Sequence, residues 1–333
     1  MPDKALACEL PDFHDIEQAA ARIRPYVRQT PVLQDVALND SLGCQFLIKC
    51  ENLQGGGAFK LRGASNAVAR LREQGSGGDV ATHSSGNHGA ALAMAARLDG
   101  RQAHVVMPEN ASAFKIAAVR QQGGKVYFCP ATQAGREAGM EALLQLGYTA
   151  IPPYDHFDII AGQGTACLEL LQQVPDITTV ITPVGGGGLI GGTALVASHM
   201  GVVSVGAEPE GAADTACSLA GGKRVTEVEA DTIADGLRAL VGVRNFALIQ
   251  QLVERVITVS DAEIRQAMID IFRHFRLLVE PSSAVVLAAA RQQPEHFRGR
   301  KIAAIISGGN ITPEDWIKTS QWERNASGSA MIE

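Results

Sequence analysis

Two kinds of segment alternate along this chain. Short β-rich runs predict strands at 45–49, 80–83, 104–107, 126–129, 179–183, 203–207, 256–259 and 302–306. Between them, Ala-rich amphipathic stretches predict helices that include 61–73, 89–98, 112–121, 137–146, 160–173, 262–275 and 282–292. Strand and helix taking turns is the pattern of βαβ units, so the expected class is α/β with mostly parallel sheets. No repeat of fixed solenoid period interrupts it. The segments 1–10 and 321–333 carry no periodicity and are expected to fray, and the 27 residues after Ile306 are too few for a further domain.

At 333 residues the chain has length for about two domains of ~150 residues each. A hydrophobic content of 46% with 19% charged residues describes a folded, soluble protein. The 29 basic residues are scattered and outnumbered by 35 acidic ones, giving a formal charge of −6, which argues against nucleic acid as a partner. No stretch reaches the ~18 apolar residues of a membrane span, and the amino terminus lacks the basic and apolar regions of a signal peptide. The six cysteines, Cys8, Cys44, Cys50, Cys129, Cys167 and Cys217, form no C-x-x-C pair and are read as reduced thiols of a cytoplasmic protein. The 35 glycines exceed the usual level of about 7%, which makes backbone loops the expected carriers of chemistry.

Four loops stand out, each leaving a predicted strand. The first, Glu51-Asn52-Leu53-Gln54-Gly55-Gly56-Gly57-Ala58-Phe59-Lys60, delivers a lysine at the start of a helix. Partial burial at a helix N-terminus lowers a lysine's pKa, as covalent chemistry at its amine requires; a solvated surface lysine is the alternative. The second, Thr82-His83-Ser84-Ser85-Gly86-Asn87-His88-Gly89, offers small residues whose N–H groups can converge on an anion, or simply cap a helix. The third is Pro183-Val184-Gly185-Gly186-Gly187-Gly188-Leu189-Ile190-Gly191-Gly192, where four glycines permit close backbone approach and the next helix dipole favours a phosphate. Gly186, Gly188 and Gly191 also satisfy G-x-G-x-x-G, with Glu208 lying 22 residues after Gly186, so a dinucleotide site competes here. The fourth, Ser307-Gly308-Gly309-Asn310, reads alone as a turn.

Taken together and in this order, the four loops resemble those of the fold-type II pyridoxal-phosphate enzymes, most closely the serine racemase and serine/threonine dehydratase family. The resemblance spans residues 16–310 and includes Lys49-Cys50-Glu51-Asn52-Leu53-Gln54, Ala161-Gly162-Gln163-Gly164-Thr165, Thr232-Ile233-Ala234-Asp235-Gly236 and Glu280-Pro281-Ser282-Ser283-Ala284. It implies a tryptophan synthase β-like fold of two open α/β domains: a large one from 1–52 and 149–320, a small one inserted at 53–148, and a tail at 321–333. It implies pyridoxal 5'-phosphate as cofactor, a small amino acid as substrate, and a homodimer, the common state of such proteins.

Residue by residue, Lys60 matches the Schiff-base lysine, with Phe59 beside the ring. Asn87 matches the residue near the phenolic oxygen, and Gly185, Gly186, Gly187, Gly188 and Leu189 match the phosphate cradle. Ser307 matches the partner of the pyridine nitrogen, which a serine would leave unprotonated; loss of a β-hydroxyl is then the favoured outcome. Ser84, Ser85, Asn87 and His88 look like the seat of the substrate and its carboxylate, and Arg136 aligns with an arginine that reaches a second carboxylate, as in 3-hydroxyaspartate. Ser85 departs from the alanine usual in simple threonine dehydratases. In racemase-like proteins that serine faces the opposite side of the substrate from the lysine and returns a proton there. Glu208, the carbonyl of Ala212 and Asp214 match a divalent-cation site suited to Mg²⁺ or Ca²⁺.

The resemblance therefore implies α,β-elimination from L-serine, L-threonine or 3-hydroxyaspartate to a 2-oxo acid and ammonia, with Lys60 removing the Cα proton. Racemisation by Lys60 and Ser85 is the alternative. A nicotinamide oxidoreductase is the remote one, since it leaves Lys60, the Ser84 turn and Ser307 without a role. The loop Gly55-Gly56-Gly57-Ala58 departs from the bulkier residue and Thr-Gly-Ser of many relatives, so its flexibility and the contacts of Ala58 are expected to differ.

Overall fold

The computed structural model describes residues 9–84 and 86–321. Ten strands are present among them: β1 (Val32–Gln34), β2 (Gln45–Cys50), β3 (Val80–His83), β4 (Ala103–Pro108), β5 (Lys125–Cys129), β6 (Thr149–Ala150), β7 (Thr179–Pro183), β8 (Val203–Pro209), β9 (Arg255–Val259) and β10 (Lys301–Ile306). They form two sheets. The larger has the order β1-β2-β10-β7-β8-β9 and the smaller the order β5-β4-β3-β6. Every pairing is parallel except β1 with β2. This is the expected α/β class.

Burial on both faces explains why the strands read as apolar runs. In β10, Ile302, Ala303, Ala304, Ile305 and Ile306 are all buried: Ile302, Ala304 and Ile306 join Phe46, Ile48 and Ile181 in one core, and Ala303 and Ile305 join Val180 in another. A separate core under the smaller sheet gathers Val80, Leu92, Val105, Met107 and Val119. The smaller sheet takes in Thr149 and Ala150, so it runs two residues past the inserted segment expected at 53–148. Of the terminal segments expected to fray, 1–8 and 322–333 lie outside the described residues.

The strand order places the loops. Strands that run parallel bring their carboxyl ends to one edge of the sheet. Cys50 at the end of β2 sits in register with Ile306 at the end of β10, which in turn pairs β7. The glycine–lysine loop, the Ser307 loop and the tetraglycine loop therefore leave three neighbouring strands at one edge. The Ser84 turn leaves the end of β3 in the smaller sheet.

Candidate active site

Lys60 begins the helix Lys60–Glu73. The loop before it is not slack: Phe59 N donates to Ser307 O at 3.0 Å, Gly309 N to Gly57 O at 3.0 Å, and Ala58 bridges Gly308. Asn310 Nδ2 adds a bond to Gly56 O at 2.8 Å. The glycine-rich departure at 55–58 is thus laid against the Ser307 loop, and Ala58 is buried there. Further along the same helix lies an ion cluster in which Lys49, Glu51 and Arg62 are fully buried. Arg62 grips Glu51 through two bonds of 2.7 Å and reaches Glu169, which also accepts from Lys49 at 2.5 Å. Burial pushes Glu51 up, but the Arg62 guanidinium more than reverses this and leaves the carboxyl below its ordinary value.

The Lys60 ammonium donates to Pro153 O at 2.8 Å and lies 5.0 Å from the centre of the Phe59 ring. Burial brings its pKa down to about 8, opposed by the charge of Glu280. An amine in that range supplies a neutral fraction near physiological pH, which a nucleophile or base needs.

Tyr154, next to Pro153, connects the lysine to the tetraglycine loop. A Cβ on Gly186 would lie 2.3 Å from the Tyr154 ring, and Gly187 holds φ +90°, so neither position accepts a side chain. Gly186 O is anchored by Gly242 N at 3.0 Å and by Asn245 Nδ2 at 2.7 Å. Because the peptide is planar and trans, the Gly187 N–H points the opposite way. Among the described residues, no acceptor meets the N–H groups of Gly185, Gly186 or Gly187. The helix Gly188–His199 that follows has no side-chain cap. Buried, uncapped donors at a helix start are what a phosphate fits, with no lysine or arginine needed.

The second loop does cap a helix. Ser84 Oγ accepts from Gly86 N at 3.2 Å and Gly89 N at 3.1 Å, at the start of Asn87–Leu98. Asn87 is held at both ends: its Nδ2 donates to Glu280 Oε1 and its Oδ1 accepts from Asn310 Nδ2, each at 2.8 Å. His88 is buried with Nε2 3.0 Å from Ile151 O and no partner on Nδ1, and burial pushes its pKa down to about 3. Ser85 lies outside the described residues. Arg136, half-buried on the helix Gln133–Gln145, makes one side-chain bond, to Gln133 at 3.4 Å, and its charge adds to partial burial in lowering the pKa of the half-buried His83 beside Ser84.

At the fourth loop, Ser307 is buried with its Oγ 3.0 Å from that of Ser283. Glu280 carried no role in the sequence; its carboxyl, raised to about 7 by burial and then by Asp235, stands among Asn87, Lys60 and Gly308. Asn310, Pro153 and Tyr154 were likewise unassigned.

The expected cation ligands form a separate group. Glu208 is fully buried; its Oε1 accepts from Ala216 N at 2.7 Å, and Oε2 has no partner. Asp214 Oδ2 accepts from Val241 N at 2.8 Å. Burial, helped by the Asp214 charge, pushes Glu208 up to about 8. So enclosed a carboxylate is closed to a ribose, which removes the acidic member of the dinucleotide fingerprint.

Residues 23–308 match the model of a single family, the pyridoxal-phosphate dependent enzymes. The chain belongs to that family. A serine racemase of rice (Oryza sativa subsp. indica) is 42% identical over 308 residues, covering 90% of this chain and 91% of its own. A beta-hydroxyaspartate dehydratase of Paracoccus denitrificans is 40% identical over 305 residues, covering 91% and 97%. Maize serine racemase superposes with a TM-score of 0.89 at 40% identity, over 96% of this chain and 99% of that one. The tryptophan synthase β-like, fold-type II architecture follows, as does dependence on pyridoxal phosphate, and the oxidoreductase alternative is set aside. No helix among the described residues is long and apolar enough to cross a membrane.

Proposed function

We propose that this enzyme is an ammonia-lyase for small β-hydroxy amino acids, L-serine, L-threonine or 3-hydroxyaspartate, releasing a 2-oxo acid and ammonia. The observation that carries it is the pairing of a lysine of lowered pKa with a buried, side-chain-free anion seat across Pro153-Tyr154. Lys60 Nζ would hold the cofactor aldehyde, the N–H groups of Gly185, Gly186, Gly187, Gly188 and Leu189 its phosphate, Asn87 its phenolic oxygen and Ser307 its ring nitrogen, with Phe59 alongside. Bound there, pyridoxal phosphate supplies a carbonyl for the substrate amine and an electron sink for the pair released at Cα. Lys60, released as a free amine, takes the Cα proton on Nζ. The Ser84 turn seats the substrate carboxylate through Asn87 and the unpaired N–H groups at the helix start, since the Ser84 hydroxyl itself is occupied as a cap. Glu280 and Asn310 fix the Asn87 amide so that it does not have to reorganise.

Arg136 is assigned to the distal carboxylate of 3-hydroxyaspartate, in keeping with its sparse bonding and with the name of the Paracoccus relative. A divalent cation, Mg²⁺ or Ca²⁺, is assigned to Glu208, Ala212 O and Asp214; the unpartnered Glu208 Oε2 and the hard oxygen donors fit it. Residues 53–148 are taken as the unit that closes over the site, and the enzyme as a homodimer. Racemisation, with Ser85 opposite Lys60, stands as the second reading on the strength of the rice and maize relatives.

The test is direct. Lys60→Ala is expected to lose both the visible absorbance of lysine-bound cofactor and turnover; substantial surviving turnover would contradict the assignment. Chiral analysis of the native enzyme with L-serine distinguishes the outcomes: pyruvate without D-serine supports elimination, and D-serine in excess of pyruvate supports racemisation.

A further inference from the structure

Ser283 sits in the first turn of the helix Pro281–Gln292, fully buried, and carries no part in the chemistry above. Its hydroxyl is crowded. Ser283 Oγ accepts from Gly308 N at 2.7 Å, is positioned to donate to Gly308 O at 2.7 Å, and lies 3.0 Å from Ser307 Oγ. A serine hydroxyl has one proton and two lone pairs, so these contacts can be counted. The Gly308 N–H is a fixed donor and takes one lone pair of Ser283. The Ser283 proton then goes either to Gly308 O or to Ser307.

The two arrangements show the site different faces of Ser307. If Ser283 donates to Gly308 O, the bond between the serines requires Ser307 to donate backwards, and only lone pairs face the site. If Ser283 donates to Ser307, the Ser307 proton is free to point into the site. Gly308 O is not orphaned by that turn, because Glu280 N also donates to it, at 3.3 Å. An unprotonated ring nitrogen is an acceptor only and selects the second arrangement, in which each hydroxyl in the chain polarises the next.

We propose that Ser283 is a positioning residue that turns Ser307 into a hydrogen-bond donor toward the cofactor ring. The inference rests on the assignment of Ser307 to the ring nitrogen, and the variants are chosen to separate the two. In the full-length holoenzyme, Ser307→Ala, Ser283→Ala, Ser283→Cys and Ser283→Thr are compared by the absorbance maximum of bound cofactor, its pH titration, and cofactor retention on dialysis.

Ser307→Ala is expected to move the band and loosen the cofactor. Ser283→Ala, with Ser307 intact, is expected to move the band the same way and weaken retention about fivefold to tenfold, the worth of one hydrogen bond. Ser283→Cys, a weak donor of similar size, repeats the loss without a cavity, and Ser283→Thr restores the native band. A Ser283→Ala or Ser283→Cys enzyme with native band and retention, beside a displaced Ser307→Ala, overturns the role of Ser283 alone. A failure of threonine to rescue overturns it too, by showing that packing rather than the hydroxyl was lost. A silent Ser307→Ala overturns the ring-nitrogen assignment and the inference with it.

Discussion

The buried ion cluster behind Lys60 makes a quantitative demand. Lys49 and Arg62 supply two positive charges and Glu51 and Glu169 two negative ones, and Lys49, Arg62 and Glu51 are each at most 1% exposed. Glu51→Gln keeps the volume but leaves one positive charge uncompensated and breaks a two-bond clasp on Arg62. Removing one partner of a buried pair costs about 3–5 kcal/mol, largely from the charge left behind. At about 2 °C per kcal/mol for a chain of this size, the melting point should fall by roughly 6–10 °C. Glu51→Gln with Arg62→Met removes both charges and leaves Lys49 balanced by Glu169, so the double variant should be more stable than the sum of the single losses by about 2 kcal/mol or more. The assay is thermal and denaturant unfolding of the four proteins. Additive losses, to within about 0.5 kcal/mol, would refute the argument, because independent sites add and coupled charges do not.

Three further outcomes follow from the geometry. Because His88 is depressed to about 3 by burial, the unfolded chain binds more protons between pH 6.5 and 3, so stability is lost as pH falls through that window, by up to about 5 kcal/mol; His88→Gln should flatten the slope of unfolding against pH, and an unchanged slope contradicts it. Chelation should lower the melting point, with Mg²⁺ or Ca²⁺ restoring it in the native protein but not in Glu208→Gln, and no change in either stability or activity removes the cation site. Arg136→Ala should cut kcat/KM for 3-hydroxyaspartate about tenfold to a hundredfold, the range of a lost charge-assisted bond, while L-serine stays within about twofold; equal losses on both would deny Arg136 the distal carboxylate.

Much of the fold was legible because eight strands are short β-rich runs, six of them largely buried, and seven stop at a serine or a proline. The two that escaped notice, β1 and β6, have three and two residues, too few to show any period. The tetraglycine loop and Ser307 could be found because each follows a strand within two residues, and Lys60 because the glycine loop that leaves β2 delivers it at a helix start. What could not be found acts across the chain: Glu280 meets Asn87 over a separation of 193 residues, and Pro153 meets Lys60 over 93. A carboxylate in Glu280-Pro281 looks like any helix start until Asn87 is placed beside it. Ser84 shows the converse, since its motif served equally for an anion seat and for a cap, and only the two bonds to Gly86 and Gly89 reveal that the hydroxyl caps.

The position of β10 bears on how this molecule is made. It lies between β2 and β7, yet it emerges from the ribosome after every other described strand of that sheet. Until residue 306 is synthesised, the nascent larger sheet exposes two unpaired strand edges where its middle belongs, the state in which chains pair wrongly or aggregate. The smaller sheet uses only strands between Val80 and Ala150 and can be finished long before. Synthesis thus yields one half ready while the other waits for its keystone, and truncation before that strand would leave an aggregation-prone fragment rather than a smaller enzyme.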